Sequence, residues 1–591
     1  MLTRPGSTGS AGFTGSTGSK GSTGSAGSHH AVDVAVIGAG PTGLMLANLL
    51  GLHGLRVCVF EAESELIDFP RGVGMDDETL RTFQTAGLVD ALLPHTVPHQ
   101  LLVFVDRKQR DLARLAPPTA EFGWPRRNGF VQPLADQVLL EGLERFAGSV
   151  DVHWSSRVTG LRQDAADAAN ADVGTAADGG ADTDGVDLVV SDPEGVRTIR
   201  AAYVVGADGG RSFTRRSLGF EFAGMSATAD WFVIDIRNDP LGRPGAYVCA
   251  DPRRPYVSIS IPHGIRRFEF MLKPGETEAL AMTDEFVRGL LEPFVPRGAP
   301  VELIRRRVYT HHSRMAEHFR SGRVFLIGDA AHVMPVWQGQ GYNSGIRDSL
   351  NLSWKLVMAV RGVAGDELLA SYETERRDHV RAMIQLSTWV GRLVSITNPV
   401  GAALRNIFFR MLSAVPKAKS YIVQMRFKPM PTMTDGALTR VGSLSDPTPV
   451  GRLFIQPTVN TRAAASLKLD DALGPWFALI AWNNDPCAIL DNDARRRLDR
   501  AGVRLVAARP AVQLDWDEAG ADNDSVLIVG DLDGSLKRWF DAHAESVVMI
   551  RPDRIVGGAS NACAASDMVR GFDLAIGAPD PVPVTAVERV A

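Results

Sequence analysis

Apolar residues along this chain follow two periods, and the change from one to the other marks out its elements. VDVAVIG and RVCVF, at residues 32–38 and 56–60, are short continuous apolar runs, as strands buried on both faces would be; PTGLMLANLLGL between them reads as a helix. Val324, Phe325, Leu326 and Ile327 form another such strand. Beyond it Ile346, Leu350, Leu352, Trp354 and Leu356 fit a helical period, with Asn343 or Ser344 as the expected N-cap. Residues 134–146 predict an amphipathic helix, and SYETERRDHVRAM at 371–383 a helix with a solvated face. Residues 231–307 alternate instead, through FVIDI, AYVCA, YVSISI and RRFEFML, and predict an antiparallel sheet inserted between segments of the first domain. From about residue 451, FALIAW, VRLVAA, SVLIVG and SVVMIR alternate with helical pieces and open a further domain.

The expected fold class is therefore α/β, with a Rossmann-like nucleotide-binding domain over 31–395, discontinuous around a mixed or antiparallel substrate sheet at 231–307. Residues 396–450, rich in Pro, Lys and Arg, read as a connector, and 451–580 as the C-terminal domain. Residues 1–30 are a Gly/Ser/Thr-rich tail without signal-peptide character, and 164–185 an Ala/Asp/Gly insertion between strands.

A net charge of −5 and a pI near 6.3 argue against a nucleic-acid binder, and no apolar run approaches the roughly 18 residues of a membrane span. Cys58, Cys249, Cys487 and Cys563 are scattered without a C-x-x-C pair, which points to a reducing cytoplasm and to neither a metal site nor a redox dithiol.

Candidate chemistry gathers at strand ends. Gly38, Gly40 and Gly43 form G-x-G-x-x-G between a strand and a helix, flanked by Ile37, Ala39 and Pro41. Glu61-Ala62 ends the next strand, placed to take a ribose hydroxyl pair. Gly328-Asp329-Ala330 ends a third strand, where a carboxylate can accept from ribityl or ribose hydroxyls. The loop after it, with Gly339, Gly341 and Asn343, would let a flat ring approach the backbone at a helix N-terminus. Asp208-Gly209 ends one more strand. Asp76 or Asp77 reads as a helix cap, with Arg71 just before it.

The stretch GDAAHVMPVWQGQGYNSGIRD resembles the second flavin motif of the class A flavoprotein aromatic monooxygenases, the para-hydroxybenzoate and phenol hydroxylase family. The resemblance selects FAD over NAD for the G-x-G-x-x-G turn and implies NADH as reductant and O2 as co-substrate. It places Arg71 and Gln132 beside the flavin and makes Asp208-Gly209 the family's "DG" motif, with Thr214 standing where an apolar residue is expected. It also gives Asp76 an active-site role, as an acid removing a phenol proton, and the C-terminal domain a thioredoxin-like fold serving packing or dimer support. EFGWPRRN, RRFEFM, YTHHSR and MRFKPMP are similar to the branch that hydroxylates 3-(3-hydroxyphenyl)propionate and 3-hydroxycinnamate ortho to the phenol. Such a small aromatic substrate needs a cation for its carboxylate. Strand alternation favours Arg266, in register with Phe268 and Phe270, ahead of Arg126, Arg127 and His263. A reductase or dehydrogenase on the same fold, and a flavin-binding scaffold, are the competing readings.

Overall fold

A computed structural model describes residues 32–163, 185–296, 299–442, 445–514 and 525–579. The Gly/Ser/Thr-rich stretch and nearly all of the Ala/Asp/Gly insertion lie outside the described residues.

The first sheet is built from the predicted buried strands. Val324–Leu326, Gly195–Gly206, Val32–Ile37, Val57–Phe60 and Val150–His153 lie side by side, all parallel. The central strands Val324–Leu326, Val32–Ile37 and Val57–Phe60 are almost fully buried because helices cover the sheet. Helix Pro41–Leu52 packs along helix Gln340–Val360, so two strand-to-helix turns converge at the carboxyl ends of the parallel strands.

The second sheet is almost wholly antiparallel and wider than 231–307. Its order runs from His332–Val333 through Glu302–Ala316, Phe222–Arg237, Ile265–Met271, Tyr256–Ile261 and Ala246–Cys249. Leu102–Val105 and Asp111–Leu115 complete it, the former parallel to Ala246–Cys249. One face buries Phe232, Ile234, Phe268 and Phe270 against Val287 and Leu291 of helix Asp284–Leu291. The opposite face looks toward the nucleotide domain.

Three expectations change. Helix Gln340–Val360 begins earlier than Asn343, capped by Gly339 in the left-handed region at φ 63°. The connector carries two helices, Pro399–Ala414 and Pro416–Val423. The "solvated" helix, within Asp366–Val394, buries Tyr372, Glu375, Arg376, Val380 and Met383. Its charge-rich sequence conceals ion pairs: Glu375 meets Lys355 at 2.8 Å and Arg551 at 2.7 Å, and Arg376 meets Asp348 at 2.7 Å.

The C-terminal sheet is mixed, ordered Thr439–Arg440, Val556–Ser560, Val547–Ile550, Ala478–Trp482, Arg504–Pro510, Val526–Asp531, Thr458–Asn460 and Leu467–Lys468. It is anchored to the body by buried contacts, among them Arg81–Asp470 at 2.6 Å and the packing of Trp354 on Phe477. Cys487 and Cys563 are free thiols.

Candidate active site

Two connected cavities occupy the space between the first two sheets. The larger, of about 1070 Å³, runs from Gly38, Gly40 and Glu61 past Asp208 to Asp329. The smaller, of about 290 Å³, continues from Asp329 and Pro41 along Gly339 and Gly341 to the inner face of the substrate sheet.

The glycines are dictated by space. Gly38 has φ 108°, and a β-carbon there would lie 2.5 Å from the Ala207 carbonyl oxygen. One on Gly43 would lie 2.1 Å from the Gly38 oxygen, which is how helix and strand come so close. Gly40 has nothing within 4 Å and opens to the cavity. The Glu61 carboxylate accepts the Ala39 N–H at 2.8 Å and the Glu63 N–H at 3.0 Å, while Glu61 and Ala62 line the wall.

The Asp208 carboxylate accepts both the backbone N–H and the hydroxyl of Thr214, at 2.9 and 3.0 Å. Thr214 thus has a polar duty where an apolar residue was expected. The other oxygen of Asp208 has no hydrogen-bond partner among the described residues.

Asp329 projects into both cavities with no hydrogen-bond partner among the described residues. Packed protein around it raises its carboxyl pKa, against the pull of His332 and Arg71. Its turn is locked from behind. Asp348 accepts the Gly328 N–H at 2.9 Å, faces His332 Nε2 at 2.7 Å, and pairs with Arg376 at 2.7 Å. Burial pushes the Asp348 carboxyl up, but His332 and Arg376 outweigh it and hold it at about 2. Ala330 is buried, its carbonyl taken by Arg215 at 2.8 Å.

The cradle fits FAD. It joins an open glycine turn, a ribose-side acid, an unpaired acid at Asp329 and a glycine-lined helix start. Arg71 lines both cavities, and Gln132 lines the smaller while accepting the Gly72 N–H at 2.6 Å. Asn343 is not in the wall: it is buried, donating to the Gly339 carbonyl at 2.6 Å and the Gly74 carbonyl at 3.1 Å.

Two catalytic expectations are corrected. Asp76 does cap its helix, accepting the Thr79 N–H at 3.0 Å, but its carboxylate is consumed in a buried cluster. Arg347 binds it, Lys428 Nζ lies at 2.8 Å, and both cations also hold Glu78. Those cations overcome burial and lower the Asp76 pKa, which makes it a poor base, and it lines neither cavity. Arg266 is fully buried on the far side of its strand, bidentate to Asp239 at 2.6 and 2.8 Å. The apolar register of that strand packs on helices, so the polar register faces the cavity.

That polar register supplies residues the sequence argument missed. Arg267 and Glu269 line both cavities. Arg267 pairs with Asp235 at 2.8 Å, its cross-strand neighbour, and donates to the Arg71 carbonyl at 2.8 Å. Glu269 accepts from the Tyr309 hydroxyl at 3.0 Å, which meets His311 Nε2 at 3.1 Å. Burial raises the Glu269 pKa despite Arg267 and Tyr309, and lowers His311 to about 4. The visible signal was the period-2 match of Asp235 with Arg267.

Residues 31–387 match the family described as an FAD binding domain, and residues 451–575 the family described as the HcaD C-terminal domain. The chain is 55% identical over 543 residues to a 3-(3-hydroxy-phenyl)propionate/3-hydroxycinnamic acid hydroxylase of Mycobacterium avium, covering 91% of each. A relative of the same name from Paraburkholderia xenovorans is 46% identical over 583 residues, covering 91% of this chain and 90% of that one. Among solved structures, aklavinone-11 hydroxylase in complex with FAD and aklavinone shares the fold at a TM-score of 0.71 and 21% identity, over 92% of this chain and 99% of that one. With the glycine turn, the Asp329 cradle and these matches together, the chain belongs to the family of FAD-binding flavoprotein hydroxylases.

Proposed function

We propose that this hydroxylase uses NADH and O2 to insert one oxygen ortho to the phenol of 3-(3-hydroxyphenyl)propionate or 3-hydroxycinnamate, giving the 2,3-dihydroxy product. The observation that carries the reading is the inner face of the substrate sheet. Ala246, Val248, Val257 and Ile259 offer an apolar bed for one aromatic ring in the cavity that Asp329 and Gly341 also line. Relatives named for that reaction, at 46–55% identity over about nine-tenths of the chain, support the substrate assignment.

FAD, when bound, would supply the redox and oxygen-transfer chemistry. Asp329 would bind its ribityl chain, Glu61 its ribose, and Gly38 and Gly40 would make room for the pyrophosphate. The protein's remaining tasks are to orient the ring, keep water out and remove the phenol proton. An ordinary phenol, with a pKa of about 10, needs a base to become a nucleophile at neutral pH.

Glu269 takes that role in our reading. It lines the cavity, its raised pKa suits a base, and the Tyr309 hydroxyl holds its carboxylate in place. NADH oxidation measured with and without 3-(3-hydroxyphenyl)propionate, with product identification, tests the assignment. Acid-stimulated oxidation yielding the 2,3-dihydroxy compound is expected. Oxidation indifferent to the acid would favour a plain reductase.

A further inference from the structure

Behind the ring bed lies a third cavity of about 370 Å³, enclosed by the substrate sheet and the helices of residues 366–423. Its wall is apolar, with Leu102, Phe104, Trp337, Val390 and Phe409. Leu102, Arg127 and Trp337 also line the smaller flavin-side cavity, so these three form the partition between the two.

Arg127 is out of place there. It begins strand Arg127–Phe130, which pairs with Gly74–Asp76, and its guanidinium lies beside Gly74. Its neighbour Arg126, on the other face, meets Asp77 at 3.4 Å and Glu121 at 3.5 Å. Arg127 has no such partner among the described residues. Its one side-chain hydrogen bond is a long one, 3.4 Å to the Gln100 amide oxygen, and its Nε is buried with nothing to donate to. Burial lowers its pKa to about 10, and no carboxylate counters that. The group stays charged at neutral pH, and an uncompensated charge in an apolar enclosure is costly unless a ligand completes it.

Of the other cations in these two walls, Arg71 is shared with the large cavity, where the flavin would lie, and the rest are engaged. Arg267 holds Asp235, and Arg405 in the same apolar wall donates to the carbonyls of Leu393 and Ala250 at 3.1 and 2.6 Å. Arg127 is also absent from the wall of the large cavity, where a pyrophosphate would lie.

We propose that Arg127 binds the side-chain carboxylate of the aromatic substrate, holding it at the partition while the phenol ring lies on the sheet face toward Asp329. This rests on the arylpropionate reading above and adds the residue that selects for an acid. A planar guanidinium with free N–H groups suits a carboxylate bidentately. The apolar cavity behind it leaves space beyond the acid for bulkier side chains.

The test uses the FAD-loaded enzyme and two probes, 3-(3-hydroxyphenyl)propionate and its neutral primary amide, with dissociation constants read from the flavin absorbance change. Losing a buried charge partner should matter only for the acid. The parent should favour the acid by about 30-fold or more, and Arg127→Met should abolish that preference while moving the amide by less than about threefold. Arg127→Lys, which keeps the charge, should restore part of it. Equal weakening of both probes in Arg127→Met would mean that the arginine serves the flavin or the fold, and would overturn the proposal. So would an unchanged preference. Should Arg127→Met not retain flavin, the parent's acid-over-amide ratio and the lysine variant decide in the same way. A parent that binds the acid through Arg127 but does not hydroxylate it would leave this site standing and remove the substrate reading instead.

Discussion

The carboxylate of Asp348 accepts the backbone N–H of Gly328 at 2.9 Å, and by that bond it fixes the turn from which Asp329 enters the cavity. Asp348→Asn keeps the shape but weakens the hold on His332 and Arg376. Asp329→Ala removes the contact with the ribityl chain itself. Both should purify with less FAD, the alanine variant nearly flavin-free, as read from the visible spectrum. In the folded chain Asp348 sits at about 2, below the roughly 3.9 of an unfolded aspartate. Its stabilisation is therefore full above pH 4 and is lost as pH falls from 4 toward 2. Acid-unfolding curves of the asparagine variant should lack that component.

Asp76 should act on stability rather than on coupling. Its loss leaves Arg347 and Lys428 with Glu78 alone in a buried cluster. Asp76→Ala is expected to destabilise the fold by about 3–5 kcal/mol, measured by denaturant unfolding. The enzyme that remains folded should still give close to one catechol per NADH. A well-folded variant that turns NADH into peroxide would return Asp76 to the chemistry.

Arg266→Met should likewise cost stability, because Asp239 loses both its bonds from the guanidinium. It should not discriminate between acidic and neutral substrates. A KM increase confined to the carboxylate substrate would contradict the placement of Arg266 on the far face of its strand.

Glu269→Gln should keep flavin and substrate binding and lose coupled hydroxylation, with peroxide replacing product. As the raised-pKa base, Glu269 is active when deprotonated, so kcat/KM in the parent should rise with pH through its titration. The glutamine variant should lose that limb. A parent-like pH profile in Glu269→Gln would send the proton elsewhere.

Much of this was legible in the residues. The glycine turn, Glu61, Asp208 and Gly328-Asp329 announced themselves because backbone geometry forces particular residue types at strand ends. Thr214 looked like a small departure, and its hydroxyl bond to Asp208 could not be read from a strand pattern. The failures share one cause. Arg266 and the charged helix of residues 371–383 were judged by their own segment, and Asp76 by its family resemblance, whereas their partners lie elsewhere in the chain: Asp239, Asp348 and Lys428. For Arg266 the apolar register was assumed to face the site. This sheet instead buries that register under helices and turns its charged register to the cavity. Pairing Asp235 with Arg267 across the two neighbouring antiparallel strands would have corrected the parity.

The central claim, that the chain is a substrate-coupled hydroxylase rather than a reductase, is tested most directly by turnover of 3-(3-hydroxyphenyl)propionate under 18O2 with limiting NADH. The account predicts a 2,3-dihydroxy product carrying one heavy oxygen, in near-equal amount to the NADH consumed. Peroxide accounting for all the NADH, or a product without the label, would contradict it.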